Sequence, residues 1–381
     1  VAEQLLLGHR VTEVLATSTG GVGTHVRSVV PALVSAGAHV QVCGPRATDE
    51  LFAFSDRGAA FTPVEISAGL APAADARAVS ALRGALAGTD VVHAHGLRAG
   101  LVAAAARRLA ASPARLVLTL HNALPDGGGL RRRVMERAER ATVRAADVVL
   151  AASTDLAENA RRLGARDVRL APVAAPPLPP AARTRTEVRE ELGLVDDRAL
   201  VVAVGRLHPQ KGYDVLLDAV ARWSADQRLR PAPLVVVAGD GPLHDELAAR
   251  IRDELLPVTL LGRRDDVADL LGAADLCVLP SRWEARSLTA QEALRTGVPL
   301  VATEVGGLPE LLGDSAELVP AGDAAALAEA VVRVLCDSAH AVELTERGQR
   351  RAAGWPDEAA TAAHLVDLYR ELIDALPRSR R

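Results

Sequence analysis

Between Arg10 and Pro320 the chain is punctuated by short apolar runs. In the first half they are RVTEVLAT (10–17), HVQVCG (39–44), TPVEIS (62–67), DVVHAHG (90–96), RLVLTLH (115–121), DVVLAAS (147–153) and DVRLAPV (167–173). Most are apolar at consecutive positions, the pattern of strands covered on both faces. The segments between them are long enough for crossover helices, which predicts a parallel sheet with helices on both sides. VAAPPLPPAART (173–184) then intervenes. Its prolines, Pro176, Pro177, Pro179 and Pro180, exclude helix and central strand and mark a linker. A second series follows: ALVVAVGRL (199–207), LVVVAGD (234–240), VTLLG (258–262), DLCVLPS (275–281), PLVAT (299–303) and ELVP (317–320). The pattern predicts an α/β protein of two doubly wound, Rossmann-like domains, 1–173 and 185–355, with 174–184 between them. A ligand cleft is expected between the carboxyl ends of the two sheets. PDEAATAAHLVDLYRELIDAL (356–376) reads as one amphipathic helix with no strand of its own.

Composition supports two soluble domains. The chain has 381 residues, 49% apolar and 24% charged. Abundant alanine and a preference for arginine over lysine fit a GC-rich, bacterial genome. The net charge of −4 argues against general nucleic-acid binding. Residues 1–180 carry 20 Arg and 15 acidic residues, a balance of +5, against −9 for the remainder, so the two halves are expected to meet different partners. Three scattered cysteines, Cys43, Cys277 and Cys336, suggest a reducing compartment and no metal knot. The opening VAEQLLLGHRV lacks the basic start of a leader, and no apolar run reaches the roughly 18 residues of a membrane span. The expectation is a cytoplasmic protein.

Lys211 is the only lysine among 44 basic residues. It stands in the loop after the run 199–207, five residues beyond Arg206. In open α/β sheets ligands collect just past strand ends. A guanidinium fork and a compact ammonium at one mouth suit a diphosphate. In SRWEARSLTAQEALRTGVPLVAT (281–303), Glu284 follows a strand end and Glu292 lies eight residues on. Ser287–Thr296 reads as a helix stopped by Gly297 and Pro299, and its free N–H groups favour an anion. Glu292, among Ala290, Ala293 and Leu294, would be buried at a cost unless it accepts from ligand hydroxyls; two vicinal hydroxyls on one carboxylate indicate a sugar or ribose.

TSTGGVGTHV (17–26) is glycine-rich and allows close approach of backbone to ligand. It is not a dinucleotide fingerprint, and no phosphate-loop motif occurs anywhere. His93, His95 and His121 cluster at strand ends. An H-x-H with a third histidine could bind zinc, but no carboxylate or cysteine lies near and no water-activation partner is evident, so no metal is expected. His93 reads as a hydrogen-bonded core residue; His95 and His121 are the better cleft candidates. In GGGLRRRVMERAERATVRAAD (127–147), Arg133, Arg137, Arg140 and Arg144 share one helical face, partly offset by Glu136 and Glu139. Two readings stay open for this face. It is solvated with local ion pairs, or it meets anionic lipid headgroups or a phosphorylated acceptor, with the protein peripheral at the inner face of the membrane.

Taken together, TGGVGTHV, DVVHAHG, LTLHN, VGRLHPQKG, AGDGPL, LLGRRDDVADLLGAADLCVLPSRWE, the paired glutamates and GVPLVATEVGGLPEL resemble glycosyltransferase family 4, retaining nucleotide-sugar-dependent hexosyltransferases of the GT-B fold. The likeness covers nearly the whole chain. It implies that the closing stretch 356–381 returns to the N-terminal, acceptor-side domain. It also implies that Arg206 and Lys211 hold the donor diphosphate, that Glu292 binds the ribose hydroxyls, and that Glu284 contacts the donor sugar. Backbone N–H groups near Ser287 and Leu288 would meet sugar and phosphate, Gly21 would lie against the phosphates, and Gly262 and Arg263 would lie beside the base. His121 matches the active-site histidine of the family. His95, Arg133 and Arg137 are acceptor-side candidates, and the acceptor is a sugar, a lipid-linked group or a small molecule. The family implies no cofactor and no metal, with a UDP- or GDP-sugar as donor. Ala285, Arg286 and Ser287 depart from the small and aromatic residues usual after the first glutamate, so Arg286 bears on sugar choice or an acidic acceptor. A silent nucleotide-sugar-binding subunit, an epimerase or a phosphorylase of the same architecture are the alternatives.

Overall fold

The structure, a computed structural model, describes residues 4–67, 69, 71–124, 129–194 and 198–376, with the backbone alone for 130 and 131. Contacts divide the chain into two compact units, Val1–Pro176 with Pro356–Arg381, and Pro177–Trp355. The proline-rich stretch is shared between them. Val173, Ala174 and Ala175 are buried in the first unit. In the second, the N–H groups of Ala182 and Arg183 donate to Asp269 (2.7 and 3.3 Å), and Thr184 begins the helix Arg185–Glu191 in a reciprocal cap with Glu187. The run is therefore anchored at both ends and is not a free tether.

The first unit holds strands β1 (Arg10–Leu15), β2 (His39–Gly44), β3 (Ala60–Pro63), β4 (Val91–His95), β5 (Arg115–Leu120), β6 (Val148–Ala151) and β7 (Val168–Leu170). They form one parallel sheet in the order β3-β2-β1-β4-β5-β6-β7. The second unit holds β8 (Leu200–Val204), β9 (Leu234–Ala238), β10 (Val258–Gly262), β11 (Leu276–Leu279), β12 (Leu300–Thr303) and β13 (Glu317–Val319), also parallel, in the order β10-β9-β8-β11-β12-β13. Twelve of these coincide with the apolar runs. The exception is β3, which sits earlier than the expected 62–67. Val64 and Ile66 are buried, which produces the strand-like alternation, but the ladder's last pair is Gly44 with Pro63, and after one more bond from the Val64 N–H to the Gly44 carbonyl (2.9 Å) β2 has ended.

In each sheet the order reverses at one place, between β1 and β4 and between β8 and β11. Segments leaving the carboxyl ends there diverge and open a crevice. Two contacts show how tightly the first unit is packed around the helix after β1. Gly23 faces the ring of Phe52 so closely that a β-carbon would lie 2.1 Å from it. The closing helix, Glu358–Asp374, starts on an Asp357 carboxylate that accepts from the Ala360 N–H (2.7 Å). It buries Leu365, Leu368, Leu372 and Ile373 in the same cluster as Val26, Val29 and Leu33 of the helix Gly21–Ser35. Each such side chain contributes about 1.5–3 kcal/mol, enough to hold the segment to the first unit.

The basic helix spans Gly129–Ala145; its expected start at 127 and 128 lies outside the described residues. Arg133, Arg137, Arg140 and Arg144 are exposed, and the first three make no ion pair among the described residues. The expected acidic offset is not there. Glu136 pairs with Arg132 (2.8 Å), and Glu139 is buried, accepting from Asn159 Nδ2 (3.1 Å). Among the described residues no helix is long and apolar enough to cross a membrane. All three cysteines are free; burial pushes the Cys43 and Cys277 thiols up to about 12, which leaves them inert.

Candidate active site

In the second unit the chain leaves β8 through Gly205 and Arg206 into a single turn, Pro209–Lys211, closed by Gly212 in the left-handed conformation (φ 65°). Gly212 is required there twice over, because a β-carbon would also lie 2.1 Å from the Pro280 carbonyl. That close approach brings Lys211 against the segment following β11. Lys211 Nζ lies 2.5 Å from Glu284 Oε1, and the same carboxylate oxygen accepts from Ser281 Oγ (2.7 Å). Glu284 is 6% exposed. Its backbone carbonyl accepts from the Gly307 N–H (2.8 Å), and a β-carbon on Gly306 would strike that carbonyl. Gln210 Nε2 donates to the Trp283 carbonyl (2.9 Å), joining the two loops again.

The next helix, Leu288–Thr296, starts on Ser287, whose Oγ accepts from the Ala290 N–H (3.3 Å), and stops at left-handed Gly297 (φ 78°). The N–H groups of Leu288 and Thr289 make no hydrogen bond among the described residues. Thr289 Oγ1 donates to the Val204 carbonyl (3.3 Å), tying this helix end to the end of β8. Two free donors at a helix N-terminus thus lie beside the end of β8, from which the chain runs on to Arg206 and to Lys211, itself paired with Glu284. Glu292 is half-buried, and its carboxylate has no hydrogen-bond partner among the described residues. Burial raises it from 4.5 to about 7, with Arg295 pulling weakly the other way.

Arg206 is exposed, and Gly262 closes β10 with its carbonyl accepting from the Gly239 N–H (2.8 Å). Arg263 is exposed and lies 3.6 Å from Asp265. The Arg286 guanidinium lies 5.7 Å over the Trp355 ring. That contact is with the end of the unit, and Arg286 Nε is buried without a hydrogen-bond partner among the described residues.

In the first unit, Gly21 opens the helix after β1, His95 ends β4 and His121 follows β5, so the three come from neighbouring strand ends. His95 Nδ1 lies 3.2 Å from His121 Nε2, and His95 Nε2 lies 2.7 Å from Glu13 Oε2. His25 packs edge-on to both rings at 5.8 Å. His93 is fully buried and bonded at both nitrogens, to Tyr369 Oη (2.5 Å) and Thr119 Oγ1 (2.6 Å), as a core histidine should be. Burial holds His93 and His121 well below the usual imidazole range and lowers His25 to about 3, with the neighbouring histidines adding to each shift. His121 is enclosed by these rings and is half-buried.

The expectation that no carboxylate lies near the H-x-H pair is corrected by Glu13. Register sets it opposite His93 across β1 and β4. Glu13, His93 and His95 have ligand atoms within 4.8 Å of one another, the one such group among the described residues. Each of those atoms already has a protein partner, so hydrogen bonding alone accounts for the arrangement. Glu13, His25, Tyr369 and Ser281 are the site residues missed in the sequence.

Residues 20–176 match the family described as "Glycosyl transferase 4-like domain", and residues 198–337 match "Glycosyl transferases group 1". The chain belongs to glycosyltransferase family 4. TuaC of Bacillus subtilis, assigned as a teichuronic acid biosynthesis glycosyltransferase, is 35% identical over 252 residues, 64% of this chain and 61% of that protein. The D-inositol 3-phosphate glycosyltransferase of Xylanimonas cellulosilytica is 33% identical over 257 residues, 63% of this chain and 60% of that protein. This family-4 chain thus spans about 60% of the length of those curated relatives. Among solved structures, Anabaena HepE in complex with UDP and glucose superposes with a TM-score of 0.81 at 20% identity, covering 95% of this chain and all of that one. The two parallel-sheet units are those of the GT-B fold.

Proposed function

We propose that the protein is a glycosyltransferase that moves a hexose from a nucleotide diphosphate sugar to an acceptor, with retention at the anomeric carbon and without a metal ion. The observation that carries the proposal is the mouth at the ends of β8 and β11. The ammonium of Lys211, the guanidinium of Arg206 and the free N–H groups of Leu288 and Thr289 offer positive potential from elements the sheet holds in place. A diphosphate leaving group gains negative charge as its bond to the sugar breaks, and fixed cations and dipoles stabilise that charge without reorganising. Glu292, half-buried and unpartnered, is the acceptor for two vicinal ribose hydroxyls; those bonds favour its charged form and lower its pKa again. Glu284, held by Lys211 and Ser281, faces the sugar. The UDP complexes of HepE make a UDP-sugar the first donor to test. Retention is proposed on the resemblance to the retaining enzymes of the family.

We propose further that the first unit supplies the acceptor side, with His121 near the reacting carbon and the helix Gly129–Ala145 against anionic lipid headgroups. Arg133, Arg137 and Arg140, exposed and without an ion pair among the described residues, support that contact. Calorimetry with UDP, GDP and ADP tests the donor half. One nucleotide should bind, and Arg206→Ala and Glu292→Ala should each weaken it. Binding of none of the three would remove the proposal.

A further inference from the structure

Resting on that reading, we infer that Glu13 and His95 are positioning residues that lock His121 into one tautomer, with Nε2 protonated and Nδ1 left as a bare acceptor. The protons that decide this lie along one buried hydrogen-bonded chain. An ionised carboxylate only accepts. Glu13 Oε1 is 2.8 Å from Tyr369 Oη and Oε2 is 2.7 Å from His95 Nε2, so both neighbours donate to it. The Tyr369 proton is thereby committed. His93 Nδ1, 2.5 Å from the same phenol oxygen, must therefore donate to it, and His93 Nε2 accepts from Thr119 Oγ1 (2.6 Å). Every polar atom in this part of the chain has a partner, with Glu13 and His93 1% and 0% exposed.

The His121 tautomer depends on a singly protonated His95, with its proton on Nε2 toward Glu13 and a lone pair on Nδ1; a doubly protonated His95 would donate from Nδ1 and give the opposite tautomer. The 3.2 Å contact of that atom with His121 Nε2 then needs the proton of His121. His121 Nδ1 has no hydrogen-bond partner among the described residues and is left bare. The group it can take is the hydrogen of a hydroxyl. In the other tautomer the same atom would be a donor, and a sugar hydroxyl would have to turn its oxygen toward it. The buried carboxylate thus decides, two side chains away, which way a substrate hydroxyl points. The edge-on ring of His25, itself neutral, fills the space beside both imidazoles and keeps the contact from swinging open.

The test is histidine-tautomer NMR on the full chain labelled with ¹⁵N-histidine, at about pH 7.5, above the ordinary imidazole range. His121 is assigned by the signal lost in His121→Gln. The expected result is a protonated Nε2 and an unprotonated Nδ1; a protonated Nδ1 overturns the inference. In His95→Gln the amide N–H still serves Glu13, but the acceptor facing His121 is lost. The His121 signal should then become a mixture of tautomers, and kcat should fall about ten- to hundredfold with the Kd for UDP within about twofold of wild type. An unchanged tautomer or an unchanged kcat in that variant overturns the positioning role. If His95→Gln does not fold, the wild-type tautomer decides. Wild-type protein with the expected tautomer and no acceptor-dependent turnover would remove the proposed function and leave this arrangement standing.

Discussion

Replacing Lys211 by methionine keeps the aliphatic stem and deletes the charge. Lys211 Nζ is 2.5 Å from Glu284 Oε1, with Lys211 21% and Glu284 8% exposed at the side chain. Two effects follow. Toward ligand, the variant loses one charge-assisted contact to the diphosphate, worth about 1.5–3 kcal/mol after solvation. At about 1.4 kcal/mol per decade, the nucleotide diphosphate Kd should rise about 10- to 150-fold. Toward the fold, the Glu284 carboxylate is left with Ser281 as its one side-chain partner, and an under-satisfied buried charge costs about 1–3 kcal/mol. Lys211→Met should therefore lower Tm, and adding Glu284→Gln should recover most of that loss by removing the stranded charge. The affinity loss should persist in the double variant, because it belongs to the ammonium. Glu284→Gln alone should leave nucleotide affinity equal or tighter, since the lysine is no longer shared with a carboxylate. Calorimetric titration of UDP into the four proteins, with thermal unfolding of each, completes the cycle. A Kd for Lys211→Met within twofold of wild type, or an affinity loss abolished by Glu284→Gln, refutes the assignment of Lys211 to the diphosphate.

Three further outcomes are expected. Glu292 keeps its proton up to about pH 7 when folded but loses it near 4.5 when unfolded, so between those values the folded state binds more protons and stability falls as pH rises. Urea unfolding across that window should show a decline, up to about 3 kcal/mol, that is missing in Glu292→Gln; parallel curves for the two proteins contradict the shift. Turnover should persist in EDTA, because Lys211, Arg206 and a helix N-terminus take the place of a cation; loss of turnover on chelation and recovery with a divalent ion contradict that. Vesicles of anionic lipid should sediment the protein at low salt, less at physiological salt, and less again when Arg133, Arg137 and Arg140 are changed to glutamine. Equal binding to zwitterionic vesicles leaves those residues a solvated face.

The sheets were legible because strands buried on both faces need unbroken apolar runs, and a parallel sheet needs a helix between each pair. β3 was misplaced because Val64 and Ile66 are buried outside any ladder, and burial alone mimics a strand. Lys211 stood out by composition, and Ser287 and Gly297 mark their helix by local chemistry alone. Glu13 left no such mark. One acid in an apolar run has no local signature, and its meaning comes from register with His93 and from Tyr369 on the closing helix. The acidic offset of the basic face failed similarly: helical spacing put Glu139 among the arginines, and tertiary packing turned it to Asn159.

The central claim is transfer, and one measurement addresses it directly. UDP-glucose and related donors are incubated with a panel of sugar, inositol phosphate and lipid-linked acceptors, and proton NMR follows the anomeric signal of the transferred sugar. The expected result is nucleotide diphosphate release that depends on the acceptor, matched by a new glycosidic bond of the same anomeric configuration as the donor, and lost in Lys211→Met. Donor consumption indifferent to acceptor, a product of inverted configuration, or an epimerised donor with no new bond would contradict it.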